Sequence, residues 1–254
     1  MPHGREAEAF LPILTRRKVP HDGALIVHSA IATLRRQGFR AEAMIETFLN
    51  HMRGGTLLMP TMTWRTVTVD HPFWDEMRTP SHTGVLSEIF RSNYANARSI
   101  HPTHSVAAWG RDAYPLTSRH HLDETPVSPN SPYGLLQDRE THILMIGTSL
   151  ETVTAIHLPE ETMAPDTYLR PQVETYQCTD RHDAVHNVRT RRHWRLDRDF
   201  PKFEPTLQSR GELEAGEIAG CPYRIVPMRA LLRDVEAALA KSPRGTLRDA
   251  PNKN

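Results

Sequence analysis

Short runs of apolar residues alternate along the chain with segments whose apolar residues recur at helical spacing. The runs predict buried strands at 24–28, 56–59, 105–109, 142–146 and 222–226. The helically spaced segments predict helices over 5–17, 41–53, 85–90 and 228–240. Buried strands that alternate with amphipathic helices are typical of an α/β fold. We therefore predict a central mixed sheet flanked by helices on both faces.

Other segments lack this regular pattern. Residues 64–82 predict a long loop, and the proline-rich residues 125–132 predict irregular structure. The C-terminal region around 165–220 is expected to be less regular than the rest, and the last dozen residues to form a frayed tail. Because the sequence has no internal repeat and no obvious linker, we interpret 1–254 as a single domain.

The composition mainly excludes several classes of protein. Hydrophobic residues make up 38% of the 254 residues and charged residues 24%, which is typical of a globular chain. No apolar run approaches the ~18 residues of a membrane span, and the charges along 1–17 do not fit a secretory signal. The two cysteines, Cys178 and Cys221, are too few for a disulfide scaffold, so we expect a reducing, cytoplasmic location.

The net charge and the absence of known motifs reduce the number of partners and cofactors to be expected. The net charge of +1 gives no reason to expect a nucleic-acid partner, and we expect no membrane partner. The six arginines within 181–198 are interpreted as a solvated face or flexible arm, because only Trp194 lies near them for stacking. No G-x-S-x-G, Walker A or G-x-G-x-x-G motif is present, so Ser-His-Asp hydrolysis and the binding of ATP or NAD lack support. A homodimer is compatible with the sequence.

Among the fifteen histidines, His157 has the clearest chemical setting. Thr148 and Glu151 have the spacing of a capping box and predict the start of a helix that carries His157. Glu160 and Glu161 share a helical face with His157, and a carboxylate one turn away could orient the imidazole and raise its basicity. The same spacing also fits a partly buried histidine beside solvated glutamates.

Two further histidine segments adjoin predicted strands. His101 and His104 could ligate a metal, although the spacing also fits one histidine bonded to a loop and one exposed. His28 and Ser29 lie at the carboxyl end of a predicted strand, where ligands gather in open α/β sheets. They could hold an anionic or amide-rich ligand, or form an ordinary strand-to-helix turn.

Several short motifs follow one another in a specific order. They are Ala24–Ser29, Gly54–Thr61, Thr79–Pro80 with Gly84 and Leu86, Arg98–Gly110, Ser131–Pro132, and Ile146–Gly147 through Thr154, His157 and Glu160. Each motif is weak alone, but the ordered series resembles the aminoglycoside 3-N-acetyltransferase family over about residues 5–240.

The resemblance implies an acetyl-CoA-dependent N-acetyltransferase that passes the acetyl group directly to a small-molecule amine. It implies that acetyl-CoA, the co-substrate, lies in a groove lined by His28, Ser29, Thr61 and Ser131, and that His157 is the general base. No metal is expected.

The resemblance also assigns supporting residues. Glu160 is expected to orient His157, with Glu161 as the alternative, and the acceptor cleft is expected to contain His101, His104 and His193.

This chain departs from the family pattern at two places. Ala30 stands where the family commonly has a second serine after the first strand. Where aminoglycoside-acting members carry acids, about thirty residues after the catalytic histidine, this chain has Arg189, Arg191 and Arg192. Such a run repels a polycationic antibiotic, so we expect another small amine, and one with its own carboxylate or phosphonate suits the arginines better.

Two other functions are left open by the residues. One is a metal-dependent hydrolase built on His101, His104, His121 and His157. The other is a non-catalytic homologue that binds CoA or a small metabolite.

Overall fold

The computed structural model describes residues 7–248. Their strands are β1 (Ala24–Ser29), β2 (Thr56–Pro60), β3 (Phe73–Asp75), β4 (Ala97–Arg98), β5 (Val106–Gly110), β6 (Thr141–Ile146), β7 (Leu169–Thr179), β8 (Val185–His193), β9 (Glu214–Ile218) and β10 (Cys221–Pro227). Their α-helices are α1 (Leu11–Arg16), α2 (Ala32–Arg36), α3 (Ala41–His51), α4 (Val85–Asn93), α5 (Ala113–Thr117), α6 (Pro132–Leu136), α7 (His157–Met163), α8 (Pro165–Tyr168), α9 (Glu204–Ser209) and α10 (Met228–Lys241). Short 3₁₀ turns lie at Ala7–Phe10, Leu150–Thr152, Thr154–Ile156 and Phe200–Phe203.

A seven-stranded mixed sheet forms the centre, in the order β4-β5-β2-β1-β6-β10-β9. The strands β2, β1 and β6 are parallel, with Leu25 opposite Leu57 and His142 in register. The remaining strands are added antiparallel at both edges. This confirms the predicted central mixed sheet, and the five predicted strands are all present.

Both faces of the sheet are covered, because alternate residues of each central strand point to opposite sides. Ile26 and Ile143 pack into the core that contains α7 and α10. Leu25 and Leu144 pack into the opposite core, which contains α1, α3 and α4. The helices α1, α3, α4 and α10 occupy the four segments that the apolar spacing predicts, with the first segment beginning as a 3₁₀ turn.

A second, three-stranded sheet corrects two sequence-based expectations. Its order is β3-β7-β8, and it packs around Trp74 and Tyr176. The strand β3 lies inside the segment 64–82 that was expected to be a loop. The long antiparallel pair of β7 and β8 makes the region 165–220 more regular than expected, and the arginine-rich segment is largely a paired strand rather than a flexible arm.

The chain end and the helix start at residue 148 also differ from expectation. Residues 243–248 are docked: Leu247 pairs with Arg198, and Thr246 is fully buried. The remainder of the expected frayed tail, 249–254, lies outside the described residues. Thr148 does not cap a helix, because Ser149 accepts the hydrogen bond from the amide of Glu151 and only a 3₁₀ turn follows.

The helix that carries His157 begins afresh at that residue. Within residues 7–248 no helix combines the length and the apolar character needed to cross a lipid bilayer. Cys178 and Cys221 are both buried free thiols.

Candidate active site

His157 and Glu160 form a tight pair in the first turn of α7. The spacing of three residues places the two side chains on one face of the helix, with His157 Nδ1 2.6 Å from Glu160 Oε2. Pro159 is tolerated between them because a first-turn residue needs no intrahelical N–H partner. The pair is therefore a consequence of local helix geometry.

Glu160 is fully buried, and its carboxylate is held from three directions. Arg198 Nε lies 3.1 Å from Oε2, and the hydroxyl of Thr246 donates to Oε1 at 2.5 Å. Burial raises the pKa of Glu160, but the interaction with His157, including its hydrogen bond, and the charge of Arg198 outweigh this effect and lower the pKa overall. The carboxylate is thus an ionised acceptor, which places the proton of His157 on Nδ1 and leaves Nε2 with a free lone pair.

His157 ends a row of five histidine rings. The ring centroids of His157 and His193 are 4.4 Å apart, those of His193 and His104 5.2 Å, and those of His104 and His101 5.9 Å. His120 follows at 4.5 Å from His101. Burial lowers the pKa of every ring in the row, so all five are neutral at neutral pH.

The inner rings of this row are used by the protein itself. His101 Nδ1 accepts backbone N–H groups of Thr103 at 3.2 Å and His104 at 2.9 Å. His120 bonds the hydroxyl of Ser99 through Nδ1 and the carbonyl of Pro126 through Nε2. These bonds fix the segment that presents His104.

The histidine-metal alternative finds no assembled site. Across residues 7–248, no three His, Cys, Asp or Glu side chains are grouped so that they could hold a metal ion. The first two histidines of the proposed set are engaged through Nδ1: His101 by the backbone, and His104 by Thr103 Oγ1 at 2.8 Å. His121 instead packs against His186.

Glu161 has a different role from Glu160. Its carboxyl accepts the backbone N–H of Val127 and lies 2.7 Å from His193 Nε2. Burial raises the pKa of Glu161 to about 8 and lowers the pKa of His193, so the two groups form an uncharged pair at neutral pH. Of the two candidate orienting groups, Glu160 contacts His157, whereas Glu161 contacts His193, the next ring in the row.

Two cavities meet at His157. The first, about 540 Å³, lies at the carboxyl end of β1 and is lined by His28, Ser29 and Gly84, among others. The second, about 780 Å³, lies beside the end of β8 and includes His193. The residues shared by both linings are Trp64, Arg65, His104 and His157. A reactive group bound in either cavity would therefore lie near the same imidazole.

The first cavity has polar groups suited to a ligand. His28 is buried, and burial lowers its pKa to about 4, so the ring is neutral. Its Nε2 has no hydrogen-bond partner among residues 7–248. Gly84 has φ +110°, and a Cβ there would lie 3.1 Å from the carbonyl oxygen of Ser29, so a larger residue would narrow this wall. The hydroxyls of Thr148 and Thr152, 3.1 Å apart, lie on the same lining.

Thr61 and Ser131, expected in the same groove, are not on its lining. Thr61 Oγ1 lies 3.0 Å from Ser105 Oγ and accepts from Arg98 Nε at 3.2 Å. Ser131 caps α6 and donates to the carbonyl of Ser128 at 2.6 Å. Both hydroxyls are consumed by internal hydrogen bonds, which explains why neither reaches the cavity.

The second cavity is lined by five arginines, Arg65, Arg170, Arg192, Arg195 and Arg198, and within residues 7–248 by no carboxylate side chain. Only one of the three arginines singled out in the sequence is among them. Arg189 pairs with Glu124 at 3.1 Å, and Arg191 Nε donates to the carbonyl of Arg170 at 2.7 Å. Neighbouring strand residues point to opposite faces, so Arg192 turns to the cavity and the other two do not.

Sequence reasoning missed the contributions of Arg170, Arg198 and Thr246. Arg198 lay within the arginine-rich segment, but nothing local marked it as the partner of Glu160. Thr246 fell in the expected tail, and Arg170 is the second residue of a strand in a region expected to be irregular. Each acts through a contact with residues far away in the chain, which no local pattern records.

Comparisons with known proteins identify the family of the chain. Residues 26–240 match the profile of the family described as aminoglycoside 3-N-acetyltransferase. The chain is 29% identical over 157 residues to the SPbeta prophage-derived aminoglycoside N(3')-acetyltransferase-like protein YokD of Bacillus subtilis (strain 168), and the match covers 54% of this chain and 57% of that protein. The matches span between 34% and 57% of the lengths of the curated relatives.

Solved structures share the fold along nearly the whole chain. Aminoglycoside acetyltransferase AAC(3)-IVa, as the apoenzyme, aligns with a TM-score of 0.76 at 24% identity over 96% of this chain and 91% of that one. AAC-IIIb in a binary complex with CoASH aligns with a TM-score of 0.76 at 20% identity over 96% of this chain and 98% of that one.

Proposed function

The chain belongs to the aminoglycoside 3-N-acetyltransferase family, and from that premise we propose that it transfers an acetyl group from acetyl-CoA to a small-molecule amine. The observation that carries the proposal is the pair of His157 and the ionised Glu160, 2.6 Å apart, at the junction of two cavities. A direct transfer needs two substrates side by side and a base between them, and this arrangement supports both requirements.

We assign the cavity at the end of β1 to acetyl-CoA. His28, Ser29 and the hydroxyls of Thr148 and Thr152 would hold it, and the CoASH complex of AAC-IIIb supports a CoA site in this fold. Acetyl-CoA supplies the acetyl group as a thioester, whose C–S bond breaks as the amide N–C bond forms. The unsatisfied Nε2 of the buried His28 fits a ligand that offers carbonyl and amide groups.

His157 is proposed as the general base for the acceptor. An amine that attacks a carbonyl must lose a proton, and Nε2 of His157 can take it because Nδ1 is bound to Glu160. The positive charge that then forms on the imidazole is stabilised by the buried carboxylate. The proton passes from the amine nitrogen to Nε2 and leaves with the departing thiol or through solvent.

The acceptor is proposed to be a small amine other than an aminoglycoside. Sites that hold several ammonium groups need carboxylates placed for charge-assisted hydrogen bonds. We assign the second cavity, beside the end of β8, to the acceptor. Its lining has five arginines and, within residues 7–248, no carboxylate side chain, and Glu160 lies behind His157.

A two-part experiment tests the function. Purified protein is heated with and without acetyl-CoA, and free thiol is then followed while acetyl-CoA is mixed with a panel of anionic, neutral and cationic amines. Ligand at ~100-fold its dissociation constant should add about 2.7 kcal/mol to the free energy of unfolding. Stabilisation without thiol release from any amine would support the non-catalytic alternative, and no stabilisation at millimolar acetyl-CoA would contradict the assignment of the cavity.

A further inference from the structure

The arginine-lined cavity indicates which chemical class of acceptor amine the site can bind. Resting on the proposed function, we propose that the acceptor amine carries its own oxyanion, a carboxylate or a phosphate-type group. Arg170 and Arg198 bind this group while the amine faces His157.

Two guanidinium groups in this cavity have nitrogen atoms that the protein does not satisfy. Arg198 uses Nε on Glu160 and Nη1 on the carbonyl of Trp194, 3.4 Å away, but its buried Nη2 has no partner among residues 7–248. The buried Nε of Arg170 likewise has no partner in that range. Buried donors are normally hydrogen-bonded, and an acceptor group of a ligand would satisfy both.

The surrounding charge is unbalanced. Of the five arginines on the lining, Arg198 pairs with Glu160, and Arg192 lies 4.0 Å from Glu174. Arg65, Arg170 and Arg195 have no carboxylate within 4.0 Å in the described part of the chain. The neutral histidines nearby add no negative charge, so the cavity has a net positive potential that attracts an anion and repels a polycation.

Two of the guanidinium groups are held in place by contacts with the protein. Arg170 lies over the ring of Trp194 with 5.4 Å between its Cζ and the ring centroid, and Arg192 Nη2 donates to the carbonyl of Trp64 at 2.7 Å. Such fixed, planar forks match the paired oxygens of a carboxylate or phosphate. Because pre-positioned groups lose less freedom on binding, they favour recognition of the ligand.

Arg198 also links the anion to the reacting group. Its Nε and Nδ1 of His157 both contact Oε2 of Glu160. An oxyanion on Arg198 therefore lies close to the imidazole, which favours acceptors whose amine and oxyanion are only a few bonds apart.

A series of acceptors that share an aminoethyl group and differ in the attached group tests the proposal. O-phosphoethanolamine and β-alanine carry an oxyanion, ethanolamine is otherwise neutral, and ethylenediamine carries a second ammonium group. With acetyl-CoA saturating and free thiol as the readout, kcat/KM should be highest for the two anionic amines. A preference for ethylenediamine, or an equal rate with all four, would overturn the inference while leaving acetyl transfer established.

Variants locate the anion site. Arg170→Gln should lower kcat/KM for the anionic amines by about ten- to a hundredfold, the range for loss of a hydrogen bond to a charged group, and leave ethanolamine unchanged. Arg189→Gln is the control, because Arg189 is an exposed arginine of β8 that does not line the cavity. An equal loss for anionic and neutral amines in Arg170→Gln would contradict an anion-binding role.

A binding measurement separates this inference from the proposed function. Calorimetry with O-phosphoethanolamine, in the presence of saturating CoA, reports the anion site without any turnover. Binding that Arg170→Gln abolishes and Arg189→Gln retains would support the inference even if no amine is acetylated. Absence of binding to the unmodified protein would overturn it.

Discussion

The two cavities that meet at His157 are built from different parts of the chain. The cavity at the end of β1 lies at the carboxyl ends of the central parallel strands. Small residues such as Ser29 and Gly84 let a ligand approach the backbone there. The other is walled by long charged side chains from β7, β8 and the segment after β8, including Arg170 and Arg192. If the two cavities hold acetyl-CoA and the acceptor as proposed, binding of the co-substrate and specificity for the acceptor depend on largely separate structural elements, so one could change while the other is kept.

The largest expected effect lies at the junction of the two cavities. His157→Ala removes the proposed base and should lower the rate of acetyl transfer by roughly 10²–10⁴. Affinity for CoA should change little, because His157 is only one of many groups on that lining. Thiol-release kinetics and calorimetry with CoA measure the two quantities. His182→Ala, at an exposed histidine of the β7–β8 turn, is the control. A His157→Ala variant with half the original activity would place the base elsewhere.

Glu160 and Glu161 provide the next comparison. Glu160→Gln removes the ionised partner of His157 and should lower the rate by roughly 10², the lower end of the range for acid–base catalysis. Glu161→Gln, at the adjacent buried carboxyl, should cost much less because its contact is with His193. Rates and circular dichroism are measured for both variants. Equal losses in the two folded proteins would show that the contact with His157 is not the decisive one.

The cavity assigned to acetyl-CoA can be narrowed selectively at Gly84. An alanine there has an unfavourable φ of +110° and places its Cβ against the carbonyl oxygen of Ser29. A tenfold weaker affinity would reduce the thermal stabilisation by saturating CoA by about 1.3 kcal/mol. Gly211→Ala is the matched control, since it also has a positive φ but no atom within 4 Å. If both variants retain full stabilisation by CoA, the ligand does not use this wall.

The pKa of Glu161 predicts a dependence of stability on pH. Its folded pKa of about 8 exceeds the ordinary value of 4.5, so its stabilising contribution is present below pH 4.5 and is lost as the pH rises toward 8. Glu161→Gln lacks this loss, and its stability relative to the unmodified protein should therefore increase between pH 5 and pH 8. Urea unfolding at the two pH values measures the change. A relative stability that stays constant over this interval would indicate that Glu161 is already ionised in the folded protein.

The smallest effect is expected at Thr246. Thr246→Val removes hydroxyl contacts to Glu160 at 2.5 Å and to the phenol of Tyr168 at 2.7 Å, at a cost of about 1 kcal/mol in the free energy of unfolding. Thr206→Val, at an exposed position of α9, is the control. Chemical denaturation measures both. No difference between the two variants would mean that the docked chain end does not support Glu160.

Local sequence patterns were enough to predict five of the strands, four of the helices and the proximity of His157 to Glu160, with Glu161 as the alternative. Both follow from short-range geometry, because apolar periodicity selects strand or helix and a spacing of three residues places two side chains on one helical face. His28 and Ser29 were found in the same way, since the end of a parallel strand is recognisable from its own residues.

The other groups that reach the site depend on contacts between distant parts of the chain. Thr61 and Ser131 had suitable hydroxyls, but distant partners consume them. Arg170 reaches the second cavity through the pairing of β7 with β8, and Arg198 through its bridge to Leu247 and its contact with Glu160. Such contacts join residues far apart in the sequence, and their energies depend on burial and partners that no local pattern contains.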